Sequence, residues 1–136
     1  MLDKIFVYGT LLKQAGNMMA TYLKTNGEFL GEAMMPGLLY KVDFYPGALY
    51  DPELDRMVIG EVYQLKGVEK VLEVLDTYEG YDHEDDESSL FVRREVRVLM
   101  GAETISCWAY LYNNPVDKLT PILSGDFLKY DVERYK

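Results

Sequence analysis

Ile5-Phe6-Val7-Tyr8-Gly9-Thr10-Leu11-Leu12 begins as a short run of β-branched and aromatic residues and breaks at a glycine. The run reads as a buried strand and the break as a tight turn. Gly9 turns the backbone with no side chain in the way, which leaves the N–H groups of Gly9, Thr10 and Leu11 free to point at a ligand. A glycine after a strand is commonly a plain turn, so this stretch alone does not define a site.

Asn17 is suited to cap a helix over Met18–Lys24, which Asn26-Gly27 ends. Short strands are expected at Phe29–Ala33, Gly37–Val42 and Val58–Leu65, with turns at Met35-Pro36-Gly37, Tyr45-Pro46-Gly47 and Asp51-Pro52. Val68, Val71, Leu72, Leu75 and Tyr78 then recur at helical spacing, and Gly80 supplies the stop. An acidic loop over Tyr81–Ser89, expected to be flexible, leads to two long strands, Leu90–Met100 and Thr104–Tyr112, joined by Gly101-Ala102-Glu103. The tail from Leu119 is expected to end in a short helix. Many short strands with Gly/Pro turns and few helices indicate an α+β fold: a small, twisted antiparallel or mixed β-barrel with about two packed helices. No linker, repeat or low-complexity tract divides the 136 residues, so one domain over 1–136 is expected.

A formal net charge of −9 argues against nucleic acid, whose phosphates demand a basic surface, and against an anionic membrane. No apolar stretch approaches the ~20 residues of a spanning helix. Met1-Leu2-Asp3-Lys4 lacks the layout of a secretory leader. The one cysteine, Cys107, has no internal disulfide partner, so a reducing cytoplasm is the expected compartment.

Far downstream of the first turn lies Leu75-Asp76-Thr77-Tyr78-Glu79-Gly80-Tyr81. With Tyr8-Gly9-Thr10-Leu11 it resembles the γ-glutamylcyclotransferase-like (AIG2-like) family, in which a Tyr-Gly-Thr-Leu loop faces a glutamate in a Tyr-Glu-Gly context. Further matches follow in order: Asn17, Tyr45-Pro46-Gly47-Ala48, Gly60-Glu61-Val62-Tyr63, Phe91-x-Arg93, Trp108 to Asn113, and Ile122-x-Ser124-Gly125-Asp126-Phe127. Phe91 and Phe127 stand where the family often has Tyr and Trp, and Leu12-Lys13 where Arg or Lys commonly follows the loop leucine. These departures bear on the pocket rather than on the fold.

The resemblance implies a metal-free enzyme, without cofactor, acting on a small γ-glutamyl substrate. In such a reaction the substrate's own α-amine attacks its side-chain carbonyl, giving 5-oxoproline and a free amine. No nucleophilic serine or cysteine is needed, only a group to move one proton and a cradle to hold the glutamyl moiety. Glu79 is the candidate general acid/base, at a helix C-terminus where unpaired carbonyls disfavour a carboxylate. Tyr8, Gly9, Thr10, Leu11 and Tyr112 are the candidate substrate contacts. Tyr8 either supports the loop from the barrel end or is an ordinary core tyrosine. Tyr110 and Tyr112 share a strand face with Trp108; core packing is the ordinary reading of both, contact with the ligand the other. Arg93 reads as a solvated strand arginine unless a bulge re-aims it. His83 in its acidic run lacks the spacing of a calcium or zinc site. The rival functional class is a non-catalytic module holding a small amino-acid-like anion in the Tyr8–Leu11 loop.

Overall fold

The computed structural model describes residues 2–9, 11–12 and 17–134, with side chains up to residue 130. Thr10, one of the candidate substrate contacts, lies outside the described residues. The strand β1 (Lys4–Val7) is the pivot of the sheet. It pairs antiparallel with β4 (Met57–Leu65) and parallel with β6 (Glu103–Tyr112). β6 forms an antiparallel hairpin with β5 (Phe91–Met100), β4 pairs with β2 (Gly27–Lys41), and Met34↔Leu99 joins β2 to β5. The order β2-β4-β1-β6-β5 therefore closes on itself as a mixed five-stranded barrel. β3 (Pro46–Tyr50) and β7 (Thr120–Pro121) extend the far half of β2. Three helices complete the described residues: α1 (Met18–Asn26), α2 (Val68–Glu79) and α3 (Phe127–Arg134).

Alternation along β1 divides the core in two. Phe6 and Tyr8 join Met35, Val62, Val98 and Cys107 in one cluster, the barrel filling. Ile5 and Val7 join Leu23, Tyr63, Leu72 and Leu75 in the other, the layer beneath the helices. Both faces of β1 are covered, as its unbroken apolar run requires. The Phe6 ring fills the space left by Gly60, where an added Cβ would lie 2.5 Å from Phe6 Cζ.

Helix ends follow their chemistry. Asn17 Oδ1 accepts the Ala20 N–H at 2.8 Å, capping α1. At the end of α2, Gly80 takes a left-handed conformation (φ 72°), and the N–H groups of Gly80 and Tyr81 return to the carbonyls of Thr77 and Asp76. This Schellman closure uses a geometry that glycine adopts without a Cβ penalty.

Three expectations need correction. The strands expected at Phe29–Ala33 and Gly37–Val42 are one strand, β2. Pro36 does not break it because the chain changes partners there: Pro36 is the last residue opposite β4 and Gly37 the first opposite β3. Pro46-Gly47, expected in a turn, opens β3, where proline is tolerated as the first residue of a strand. The acidic loop is tied down: Asp86–Ser88 form a short 3-10 turn, and Asn113 Nδ2 donates to the carbonyls of Asp86 and Ser89 at 2.7 and 2.9 Å. No helix among the described residues is long and apolar enough to cross a membrane.

Candidate functional site

After β1 the chain leaves the barrel through Tyr8 and turns at Gly9, where the Leu12 N–H donates to the Gly9 carbonyl at 3.0 Å. Leu11 and Leu12 are buried with Leu23, Leu72 and Leu75, which anchors the turn against both helices. The amphipathic face of α2 carries its last residue to the same end of the barrel. A cavity of about 200 Å³ opens there, walled by Tyr8, Gly9, Leu11, Tyr45, Pro46 and Phe91, with Glu79 in its lining. The first turn and Glu79 thus meet across roughly seventy residues of sequence.

Among the described lining residues Glu79 carries the one charged side chain. No hydrogen bond or ion pair engages it among the described residues. Burial pushes its pKa from 4.5 up to about 7, because an apolar wall solvates the carboxylate less well than water. The residue is therefore poised to exchange a proton near neutral pH.

Tyr8 has a structural task. Its hydroxyl donates to the Tyr110 carbonyl at 2.5 Å and accepts the Ala48 N–H at 3.1 Å, tying β1, β3 and β6 together at the cavity floor. Burial first, then the charge of Glu79, raises its pKa against the lowering bond from Ala48. Tyr8→Phe should lower unfolding free energy by about 1–3 kcal/mol, since it leaves the buried partner groups unpaired. Urea denaturation of the two proteins measures this, and equal midpoints would show that the bridge contributes nothing.

Tyr110 lines the cavity, whereas Tyr112 is not in the lining and packs behind it on Phe91, ring centroids 5.7 Å apart. Phe44, Tyr45 and Tyr78 also line the cavity, unforeseen as site residues, with Phe44 70% and Tyr78 42% exposed. Tyr45 packs edge-on to Phe44 at 5.1 Å, and burial, then the nearby Asp43 carboxylate, pushes its pKa up.

The conformational reason expected for Gly9 is also corrected. Gly9 does not occupy the left-handed region. Its constraint is space, because an added Cβ would lie 2.9 Å from Pro46 Cγ and 3.0 Å from Cδ. Arg93, expected to be solvated, is half-buried: its Nε and Nη2 donate to Asp76 at 2.8 and 3.1 Å, and the guanidinium lies 4.4 Å above the Trp108 ring centroid.

Residues 5–129 match the family model described as gamma-glutamyl cyclotransferase, AIG2-like. The gamma-glutamylcyclotransferase family protein YtfP of Escherichia coli (strain K12) is 33% identical over 129 residues, 94% of this chain and 98% of that protein. The solution structure of Escherichia coli ytfP superposes with a TM-score of 0.65 at 29% identity, covering 94% of this chain and 98% of that one. The crystal structure of YkqA from Bacillus subtilis gives a TM-score of 0.74 at 22% identity; it covers all of this chain, which spans 44% of YkqA, and shows likeness of fold alone. A family match over nearly the whole length, on a barrel whose end brings the first turn and Glu79 together, establishes that this chain belongs to the γ-glutamylcyclotransferase, AIG2-like family.

Proposed function

We propose that the protein cleaves a γ-glutamyl amide or γ-glutamylamine to 5-oxoproline and a free amine, with Glu79 as general acid/base. The observation that carries this reading is the desolvated carboxyl of Glu79, with no ion-pair partner among the described residues, in one cavity with Gly9 and Leu11. The substrate's α-amine nitrogen forms a bond to its own side-chain carbonyl carbon, and the bond from that carbon to the leaving nitrogen breaks. Glu79 takes the proton released by the attacking amine and hands it to the departing one, a transfer worth roughly 10²–10⁴-fold. No water is consumed. Holding amine and carbonyl in contact supplies much of the remaining acceleration, with effective molarities on the order of 10⁵ M or more.

Since no cationic side chain is among the described lining residues, the loop amides at Gly9, Thr10 and Leu11 are assigned to the anionic parts of the substrate. Backbone donors placed on a developing oxyanion are typically worth about 3 kcal/mol each. The aromatic residues Phe44, Tyr45 and Tyr78 are assigned to the leaving amine.

The pH–rate profile tests the role of Glu79. Its carboxylate form is the base, and its pKa in the folded protein is about 7. Below that value the group is protonated and cannot accept a proton, so kcat/KM should fall roughly tenfold per pH unit on the acid side. A profile without an acid limb near 7, measured with γ-glutamyl alkylamides and γ-glutamyl dipeptides, would remove Glu79 from this role.

A further inference from the structure

Asp76 stands three residues before Glu79 on α2, in the same final turn. Its carboxylate accepts three side-chain hydrogen bonds. Arg93 grips it with a two-bond fork, and the Tyr110 hydroxyl donates to Oδ1 at 2.7 Å. The ion pair is largely shielded, with side-chain exposures of 17% for Arg93 and 16% for Asp76. Arg93 is itself stacked on Trp108, whose Nε1 donates to the Leu2 carbonyl at 3.1 Å. Tyr110 is also one of the residues that line the cavity, and its carbonyl accepts the Tyr8 hydroxyl. Asp76 is thus where the last turn of α2, the β5–β6 hairpin and the cavity wall are joined by directed bonds.

The fork suits this task. A bidentate guanidinium–carboxylate pair fixes orientation as well as distance, which a single ammonium cannot. Two carboxylates so close on one helix would also repel if both were free. Arg93 offsets the charge of Asp76, while Glu79 has no ion-pair partner among the described residues.

We infer that Asp76 is a positioning residue for Glu79, which the Arg93 fork and the Tyr110 hydroxyl hold so that the last turn of α2 presents the Glu79 carboxyl at a fixed place on the cavity wall. The inference rests on the proposed role of Glu79. Misplacement of a catalytic group by about 1 Å can lower turnover by roughly 10²-fold while binding persists.

The test is steady-state kinetics of Asp76→Asn, Glu79→Gln and the double variant, using the fastest substrate from a panel of γ-glutamyl alkylamides and γ-glutamyl dipeptides. Asp76→Asn should lower kcat by roughly 10–10²-fold with KM little changed. Added to Glu79→Gln it should cause no further loss, because a residue acting through Glu79 has nothing left to position. Independent, multiplying losses would overturn the inference, as would an unchanged kcat in Asp76→Asn while Glu79→Gln collapses. Full activity in Glu79→Gln, or no product from the wild type, would instead overturn the underlying reading and the inference with it. If Asp76→Asn does not fold, Arg93→Lys replaces it in the same cycle; it keeps the cation, loses the fork, and changes a side chain outside the cavity lining. The same kcat loss confined to the Glu79 background is expected, and an unaltered kcat overturns the proposal.

Discussion

Glu79→Gln should reduce formation of 5-oxoproline by roughly 10²–10⁴-fold while substrate still binds, because glutamine keeps the shape and hydrogen-bonding capacity of the side chain but cannot accept a proton. The variant should be at least as stable as the wild type. The sign follows from linkage. The folded-state pKa of about 7 lies above the ordinary 4.5, so in that window the folded protein binds more protons than the unfolded chain. Stability therefore falls as pH rises through the window and stays lower above it. Glutamine removes the desolvated charge that causes this, so the advantage of the variant should be greatest above pH ~7. Product formation by chromatography and thermal unfolding at two pH values separate lost chemistry from lost fold. Undiminished turnover in Glu79→Gln would reject the residue as the proton shuttle.

The second large effect is expected at Gly9. A Cβ at this position would meet Pro46 Cγ at 2.9 Å and Cδ at 3.0 Å, and a proline ring yields less than the far end of a flexible chain. Overpacking a filled site typically costs 1–3 kcal/mol, here at the turn that borders the cavity. Gly9→Val should therefore abolish detectable binding of a γ-glutamyl alkylamide in calorimetry. Because Gly9 lies outside the left-handed region, the milder Gly9→Ala should be rescued by Pro46→Ala, which removes the two clashing carbons. Failure of that rescue would mean that the turn needs the freedom of glycine itself rather than the space beside it.

Much of the site is legible in the residues that form it. The unbroken apolar run at Ile5-Phe6-Val7 is covered on both faces, and the periodicity of Val71, Leu72 and Leu75 brings α2 onto β1. With the Gly80 stop, that places Glu79 at the barrel end. What escapes the sequence is pairing across distance. The turn chemistry of Tyr45-Pro46-Gly47 conceals a strand, because pairing with β2 overrides local preference. Tyr45 and Pro46 then become cavity walls.

Arg93 is the instructive miss. Alternation correctly sets it opposite Val92, Val96 and Val98, yet that face is covered at its α2 end. The hairpin register offered a signal: Arg93 stands opposite Tyr110, with Phe91 opposite Tyr112 and Glu95 opposite Trp108. A strand face lined by so many aromatics is seldom a wet one. Asp76 could not be foreseen as its partner, since nothing in the helical pattern separates it from the solvated Glu69 or Glu73.

The central claim is an intramolecular cyclisation at the Glu79 cavity, and the products made in isotopic water test it most directly. Incubated in ¹⁸O-labelled water with a γ-glutamyl alkylamide, the protein should release free amine and 5-oxoproline in equal amounts, with no label in the 5-oxoproline, since the ring closes without water. Glutamate carrying the label would show hydrolysis in place of cyclisation and contradict the account. Tight binding with neither product would do the same, and would make the cavity a holding site for a small amino-acid-like anion.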